Sequence, residues 1–341
     1  MPVLGLDIGG ANLKAAVADG HAVSRPFAIW KYPERLAAEI RGLAVQLLPN
    51  PDAIAVTMTA ELADCFETKA AGVHHILAAI SEVAAGRPVM VWMTDGRFAT
   101  VAEAIARPLL AAASNWQALA TWAARQVDAE PALLIDIGTT TTDIIPIDGG
   151  RPSANGTTDA TRMIAGELVY TGIRRTPLCA VARAVPFRKV SCPLAAELFA
   201  TTADIHLLLG HIDEAADDLE TANGRPATRT AAHDRLARQL CCDREELTIA
   251  DAIAIARDLA DAQAAQIAAA INLVLEHRAP RQVVILSGSG SFLARQIVDG
   301  HPVLRSAVRV DLDQRLGPNT AAAACAYAVA VLAESSLDGL A

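Results

Sequence analysis

Two aspartates, each followed by a glycine turn and a second strand, are the residues of this sequence best suited to phosphate chemistry. Asp7 precedes Gly9 and Gly10, and Asp136 precedes Gly138 and a run of threonines. Glycine lets backbone N–H groups approach an anion, and such turns form concave anion sites. A strand-end aspartate suits hydrated Mg²⁺, which keeps several waters in protein sites. Either turn alone is common in ordinary proteins, but two copies favour a duplicated phosphate site.

The predicted phosphate contacts come from three loops. Lys14 places a charge near the first turn, and the threonines add hydroxyl donors to the second. A third loop, residues 287–290, lies between an apolar strand and a helix, an arrangement that can bind anions or nucleotides. The predicted phosphate-binding residues are Gly9, Gly10, Asn12, Lys14, Gly138, Thr139, Thr140, Thr141, Asp143, Gly288, Ser289 and Gly290. We expect Asp7 and Asp136 to be catalytic and to hold Mg²⁺ through water.

The composition argues against nucleic-acid and membrane partners. The formal charge is −9 and aromatic residues make up 4% of the chain, so it lacks the basic, aromatic surface of a nucleic-acid binder. The most apolar stretch, residues 320–333, is too short to span a bilayer. No basic segment precedes the first strand, so we expect a cytoplasmic protein. Its expected partners are small molecules, with a homodimer as an open alternative.

Alternating apolar runs and amphipathic stretches predict an α/β protein of two domains. Strands are predicted at 3–7, 13–18, 22–30, 52–58 and 88–93, and helices at 33–48, 72–85 and 101–127. The pattern then restarts with strands at 133–136, 143–147, 282–286 and 308–311. We place the domains at 1–129 and 130–317, joined by a tight hinge, with a helical insertion at about 194–276. A terminal helix is predicted at 318–336.

The three loops resemble the two phosphate motifs and the adenosine motif of the acetate-kinase, sugar-kinase, chaperone and actin superfamily. That resemblance implies two RNase-H-like domains with a cleft between them, and a terminal helix that packs back on the first domain. Residues 10–12 depart from the pattern, because they lack the threonine or serine that many members carry in the first loop. We therefore expect the first loop to contact the terminal phosphate of a nucleotide in a different way from those members.

A second resemblance is narrower. Residues 166–177 resemble the hydantoinase/oxoprolinase branch. In combination with residues 57–69, 113–116, 201–204 and 288–290, they resemble proteins of tetrahydromethanopterin-linked one-carbon transfer, including the methanofuran-biosynthesis synthases of methanogens. The resemblance implies a transferase that joins an aminomethylfuran-methyl diphosphate to the phenol oxygen of a tyramine- or tyrosine-type acceptor. Diphosphate would leave, with Mg²⁺ as cofactor and no need for ATP.

Activation of a phenol, whose ordinary pKa is near 10, calls for a base or a nearby cation. Glu61 and Asp64 are predicted to share a helix face at the cleft, and Glu167 to form a second polar group with Arg174 and Arg175. Either group could supply the base or clamp a glutamyl carboxylate. A solvated helix N-terminus and a surface ion pair are equally simple explanations of the two groups.

Asn115 is a further predicted substrate-binding residue, although capping of the helix that follows explains it as well. Two other functions stay open at this stage. One is an ATP-dependent small-molecule kinase or an ATP-assisted amidohydrolase. The other is an actin- or chaperone-like module that nucleotide switches between conformations.

Overall fold

A computed structural model describes residues 1–338. The strands are β1 (Val3–Ile8), β2 (Asn12–Ala16), β3 (Ala22–Pro26), β4 (Ala53–Met58), β5 (Val89–Trp92), β6 (Phe98–Ala99), β7 (Ala132–Ile137), β8 (Thr142–Asp148), β9 (Arg151–Pro152), β10 (Leu168–Val169), β11 (Ala184–Phe187), β12 (Val190–Pro193), β13 (Val283–Ser287) and β14 (Val308–Asp311).

The α-helices are α1 (Leu36–Leu47), α2 (Lys69–Ala84), α3 (Val101–Ala106), α4 (Pro108–Ala111), α5 (Asn115–Ala124), α6 (Asp159–Ile164), α7 (Leu178–Val181), α8 (Thr202–Leu209), α9 (Arg229–Gln239), α10 (Ile249–Leu275), α11 (Ser291–Gly300), α12 (Leu312–Leu316), α13 (Pro318–Ala322) and α14 (Ala324–Asp338), and a short 3₁₀ turn, Pro33–Arg35, precedes α1.

Five strands of each main sheet correspond in order and in direction. In the first, β3-β2-β1 is an antiparallel meander, and β4 and β5 run parallel to β1, followed by antiparallel β6. In the second, β10-β8-β7 is antiparallel, and β13 and β14 run parallel to β7. The duplication that the sequence predicts is thus present in the topology.

Five layers build the central part of the molecule. Residues of β1 alternate between two cores, because successive strand side chains point to opposite faces. One core packs the first sheet against α1 and α2, and another packs the second sheet against α10 and α11. Between the sheets, α5 and α14 form a third core that draws on both. A Cβ on Gly5 would lie 2.1 Å from the Ala326 carbonyl oxygen, so α14 lies directly against β1.

Four predicted elements differ from the structure. The single terminal helix predicted at 318–336 is divided at Ala323 into α13 and α14. The strand predicted at 22–30 ends at Pro26, where the chain turns along the first glycine loop. The single helix predicted at 101–127 is broken into three helices, since Pro108 lacks the N–H that would continue α3. The helical region near 194–276 also contains a long irregular segment between α8 and α9, and it has a core of its own. No helix within residues 1–338 is both long and apolar enough to cross a membrane.

Candidate active site

The candidate site lies at the carboxyl ends of the parallel strands of both sheets, the edge where open α/β sheets bind ligands. Asp7 is the penultimate residue of β1, and Asp136 holds the same place in β7. The turns that follow are closed alike, by a bond of 3.0 Å from the Gly9 N–H to the Asn12 carbonyl and one of 2.9 Å from the Gly138 N–H to the Thr141 carbonyl. Each half therefore presents an equivalent aspartate and turn.

Backbone N–H groups in all three loops are left without a partner. Among the hydrogen bonds of residues 1–338, no acceptor is found for the N–H groups of Gly10, Ala11, Thr139, Thr140, Gly288 and Ser289. The third loop is pressed against the second, because the Gly290 N–H donates to the Ile137 carbonyl at 2.8 Å. Backbone donors usually find a partner in a folded protein, so unpaired ones in adjacent turns suit an anion.

Lys14 lies near the aspartates of both halves. Its Nζ is 3.8 Å from Asp7 Oδ2. Burial alone would lower the Lys14 pKa, but the charge of Asp7 and then that of Asp136 outweigh it and raise that pKa above its ordinary value. Burial likewise raises the pKa of Asp7 against the opposing effect of Lys14. The hairpins of the two halves therefore bring their charged groups into one electrostatic cluster.

The pKa of Asp136, the aspartate of the second hairpin, is also raised. Asp136 is half-buried. Its removal from water, and then the charge of the facing Asp143, raise its pKa to about 6. Asp143 stands directly opposite Asp136 in the β7/β8 pair. One oxygen of Asp143 accepts a hydrogen bond of 2.6 Å from the buried Arg162, whose guanidinium lies 4.2 Å from the centre of the Trp116 ring. Asp143, predicted to contact phosphate, is thus engaged with an arginine behind the turn.

The donors at the hairpins fit a Mg²⁺ that is bound mainly through water. Asp7 Oδ1 is buried and has no hydrogen-bond partner within the described chain, a state that is costly unless another group satisfies it. No group of three or more His, Cys, Asp or Glu side chains in residues 1–338 is placed to hold a metal. One or two carboxylates with several waters is the usual protein environment of Mg²⁺.

Glu61 is buried, whereas Asp64 is exposed, so the prediction that they share a helix face is wrong. Both lie in turns before α2, which begins only at Lys69 because the Thr68 side chain caps it. The Glu61 side chain has an oxygen, Oε2, without a partner, and burial raises its pKa to about 7. The N–H groups of Thr59 and Ala60 donate to the Ile8 carbonyl, which fixes Glu61 close to the end of β1.

The predicted polar group of Glu167 with two arginines is also wrong. Glu167 is buried and accepts hydrogen bonds of 2.5 and 2.8 Å from the N–H groups of Asn155 and Gly156. Arg174 is paired instead with Asp218. Glu167 therefore fixes the loop at Asn155 and Gly156, and these bonds satisfy its buried carboxylate, as buried polar groups require.

Two other predicted substrate residues lie beside the hairpins. The N–H groups of Arg174 and Arg175 both donate to the Thr139 carbonyl, at 3.0 and 3.1 Å, which places these arginines next to the second turn.

Asn115 is the first residue of α5 and does not cap it. Ser114 holds the capping position, and its hydroxyl is 2.8 Å from that of Thr57.

Several residues that the sequence did not indicate support the site. Lys69 and Asp159 form an ion pair of 2.8 Å between helices of the two halves, and both influence the charge of Glu61. Behind the second hairpin, Gln263 donates to the Gly172 carbonyl at 2.9 Å, and a Cβ on Gly172 would lie 2.5 Å from the Thr140 nitrogen. Each partner is distant in sequence, so no local pattern could show these contacts.

Two sheets that share a strand order, each with an aspartate and a glycine turn at the carboxyl end of its parallel strands, have the fold found in acetate and sugar kinases, chaperones and actin. A nucleotide-free structure of acetone carboxylase has a similar fold, with a TM-score of 0.55, 12% identity, and coverage of 96% of this chain and 70% of that one. The family model described as hydantoinase/oxoprolinase matches residues 52–335, and the chain belongs to that family.

Two relatives carry the same name, (4-{4-[2-(gamma-L-glutamylamino)ethyl]phenoxymethyl}furan-2-yl)methanamine synthase. The protein of Methanocaldococcus jannaschii is 34% identical over 341 residues, which cover 98% of each chain. The protein of Methanococcus vannielii is 29% identical over 206 residues, which are 60% of this chain and 92% of that one. The narrower of the two resemblances found in the sequence is therefore confirmed.

Proposed function

We propose that this protein is a transferase that makes an aryl ether. It joins an aminomethylfuran-methyl diphosphate to the phenol oxygen of a tyramine- or tyrosine-type acceptor and releases diphosphate. The name of the full-length relative describes a product with this phenoxymethyl-furan bond. In the reaction, the bond between the furan methylene and the diphosphate oxygen breaks, and its electron pair leaves with diphosphate. The phenol oxygen bonds to the methylene carbon and gives up its proton.

The observation that carries the proposal is the set of unpaired N–H groups in three adjacent loops around Lys14 and two aspartates. Charge develops on the diphosphate as its bond to carbon breaks. Preorganised donors aimed at developing charge are usually the largest single contribution to catalysis, and removal of one such donor costs roughly 10²–10³ in rate. Asp7 and Asp136 would hold Mg²⁺ through water, and that ion would neutralise part of the leaving group's charge.

Glu61 is the residue that we assign as the base for the phenol. Its pKa of about 7 is close to working pH, the condition under which a general base is most effective. Its unpartnered oxygen, buried near the end of β1, is free to accept a proton. Asp64 is exposed, so we assign it no role in proton transfer.

The test supplies the purified protein with a furan-methyl diphosphate, a tyramine-type acceptor and Mg²⁺, without nucleotide. We expect release of diphosphate together with an ether that mass spectrometry identifies. An Asp136→Asn variant serves as the control for contaminating phosphatases. Absence of the ether at full occupancy of both substrates would reject the proposal, and a requirement for ATP with ADP production would favour a kinase-type reaction.

A further inference from the structure

An aromatic ring of the first half and a guanidinium of the second meet at the two phosphate hairpins. The Arg175 guanidinium carbon lies 5.3 Å from the centre of the Trp30 ring. Trp30 is half-buried and Arg175 is exposed. The other three tryptophans, Trp92, Trp116 and Trp122, are all at most 5% exposed, so Trp30 is the tryptophan of this chain that solvent and ligands can reach.

The Trp30 side of this contact is tied to the first hairpin. After β3 the chain runs along the turn, where the Phe27 N–H donates to the Ala11 carbonyl at 2.9 Å and the Ile29 N–H donates to the Gly10 carbonyl at 3.2 Å. These bonds use the carbonyl groups of the turn and leave its N–H groups unpaired. Trp30 therefore stands at the edge of the first anion-binding turn.

The Arg175 side is tied to the second hairpin in the same way. Its N–H and that of Arg174 donate to the Thr139 carbonyl, and the Ile173 N–H donates to the Gly138 carbonyl at 3.0 Å. Because each side chain is anchored beside a different hairpin, their contact spans the space between the two. A ligand held by both hairpins would lie close to this contact.

Arg175 carries a charge that the protein does not neutralise. Its neighbour Arg174 is paired with Asp218, whereas no carboxylate within residues 1–338 lies within ion-pair distance of Arg175. The Trp30 ring attracts the guanidinium only through its quadrupole, a weak interaction at an exposed site. A phosphate group accepts a planar guanidinium through two parallel hydrogen bonds and is a much stronger partner.

We propose that Arg175 is a diphosphate-binding residue, which Trp30 holds over the space between the hairpins until the ligand arrives. The diphosphate draws the guanidinium away from the indole, so binding exchanges a cation–π contact for charge-assisted hydrogen bonds. This inference rests on the proposed function, because it takes diphosphate to be the group that the hairpins bind. It adds to the diphosphate site the Arg175 guanidinium of the second half and its aromatic partner in the first half, Trp30.

The experiment titrates inorganic diphosphate with Mg²⁺ into the protein and records calorimetric heat and tryptophan emission in parallel. We expect the emission of the wild type to change and to saturate together with the heat. Arg175→Gln should bind diphosphate at least tenfold more weakly than the wild type and show no change in tryptophan emission. Trp30→Phe should bind diphosphate but should also show no change in emission. Arg175→Lys keeps the charge without the planar fork, so its affinity should fall between those of the wild type and Arg175→Gln.

Arg188 gives a matched control, because its guanidinium stacks on Phe187 at 4.7 Å in the β11–β12 hairpin, on a different pair of strands. Arg188→Gln should bind diphosphate like the wild type. Heat without any emission change, or unchanged affinity of a folded Arg175→Gln, would overturn this inference and leave the hairpin site standing. Absence of heat in the wild type at millimolar diphosphate would overturn both this inference and the diphosphate site of the proposed function.

Discussion

The two aspartates differ in the residue that each hairpin places opposite them. Lys14 faces Asp7 across the β1/β2 pair, and Asp143 faces Asp136 across the β7/β8 pair. A cation lowers the pKa of a neighbouring carboxyl group and a like charge raises it. The duplicated hairpins are therefore not electrostatically equivalent, and Asp136 is the aspartate whose charge most needs a bound cation.

Substitution of either aspartate by asparagine keeps the side-chain volume and removes the charge. We expect Asp7→Asn and Asp136→Asn each to lower the rate of ether formation by about 10²-fold or more, because each removes a charge that would hold the cation at the leaving group. The measurement is diphosphate release at saturating substrates, with circular dichroism to show that the fold is kept. Asp19→Asn, at an exposed aspartate after β2, is the control. Activity within twofold of the wild type would show that the hairpin carboxylates are only structural.

Glu61 should set the pH dependence of the reaction. A base must be deprotonated to act, so the rate at low substrate concentration should rise as pH increases through about 7, the pKa of Glu61. Glu61→Gln should be much slower and should lose this rise. A variant that kept the wild-type profile would assign the proton to another group.

The same group should make the folded protein less stable as pH rises. The folded pKa of about 7 exceeds the ordinary value of 4.5, so between these values the folded protein holds a proton that the unfolded chain has lost. Raising the pH across this window therefore favours unfolding. We expect the wild type to lose up to about 3 kcal/mol relative to Glu61→Gln between pH 4.5 and 8. Denaturant titrations at both pH values measure the difference, and parallel losses in the two proteins would contradict it.

Among the elements, the third loop depends on a glycine with a left-handed backbone. Gly288 has φ of +87°, and a Cβ there would lie 2.3 Å from the Ile137 carbonyl oxygen and 2.6 Å from Asp136 Oδ1. Gly20 has φ of +96° but open space around it. Gly20→Ala therefore serves as a control that introduces backbone strain without a steric collision. Gly20→Ala should cost about 1–3 kcal/mol through strain alone. Gly288→Ala should cost more and should also weaken the binding of Mg²⁺-diphosphate. Equal stability and affinity in the two variants would mean that the loop can move away from Asp136.

The sequence predicted the elements whose signals are local. Both hairpins were found because an aspartate and a glycine turn between apolar runs are visible within ten residues. The prediction that Glu61 lies on a helix is wrong, although the sequence contains evidence against it. Thr68 is a good N-cap for a helix that starts at Lys69, which leaves Glu61 outside that helix. The contacts of Glu167 and Trp30 could not be predicted. Their partners come from other segments, and only the folded chain brings them together.

Across the whole molecule, the two halves share a core instead of meeting only at a cleft. Helix α5 contacts strands of both sheets, and α14 packs on β1, β2 and β4 as well as on α5. Trp92, Trp116 and Trp122 all belong to this central core. Halves that share so much apolar surface should unfold together. We therefore expect one thermal transition, at the same temperature by tryptophan emission and by far-ultraviolet circular dichroism.

Gly5→Ala tests that coupling at one atom. The added Cβ would collide with the Ala326 carbonyl of α14, so the helix must move away from β1, and overpacking of this kind costs about 1–3 kcal/mol. Because α14 belongs to the core of both sheets, the single transition should shift to lower temperature as a whole. Gly300→Ala, at a position in the second half with open space around it, should leave the transition almost unchanged. If Gly5→Ala split the transition in two, the halves would be separate folding units, and the shared core would not hold the hairpins in register across the cleft.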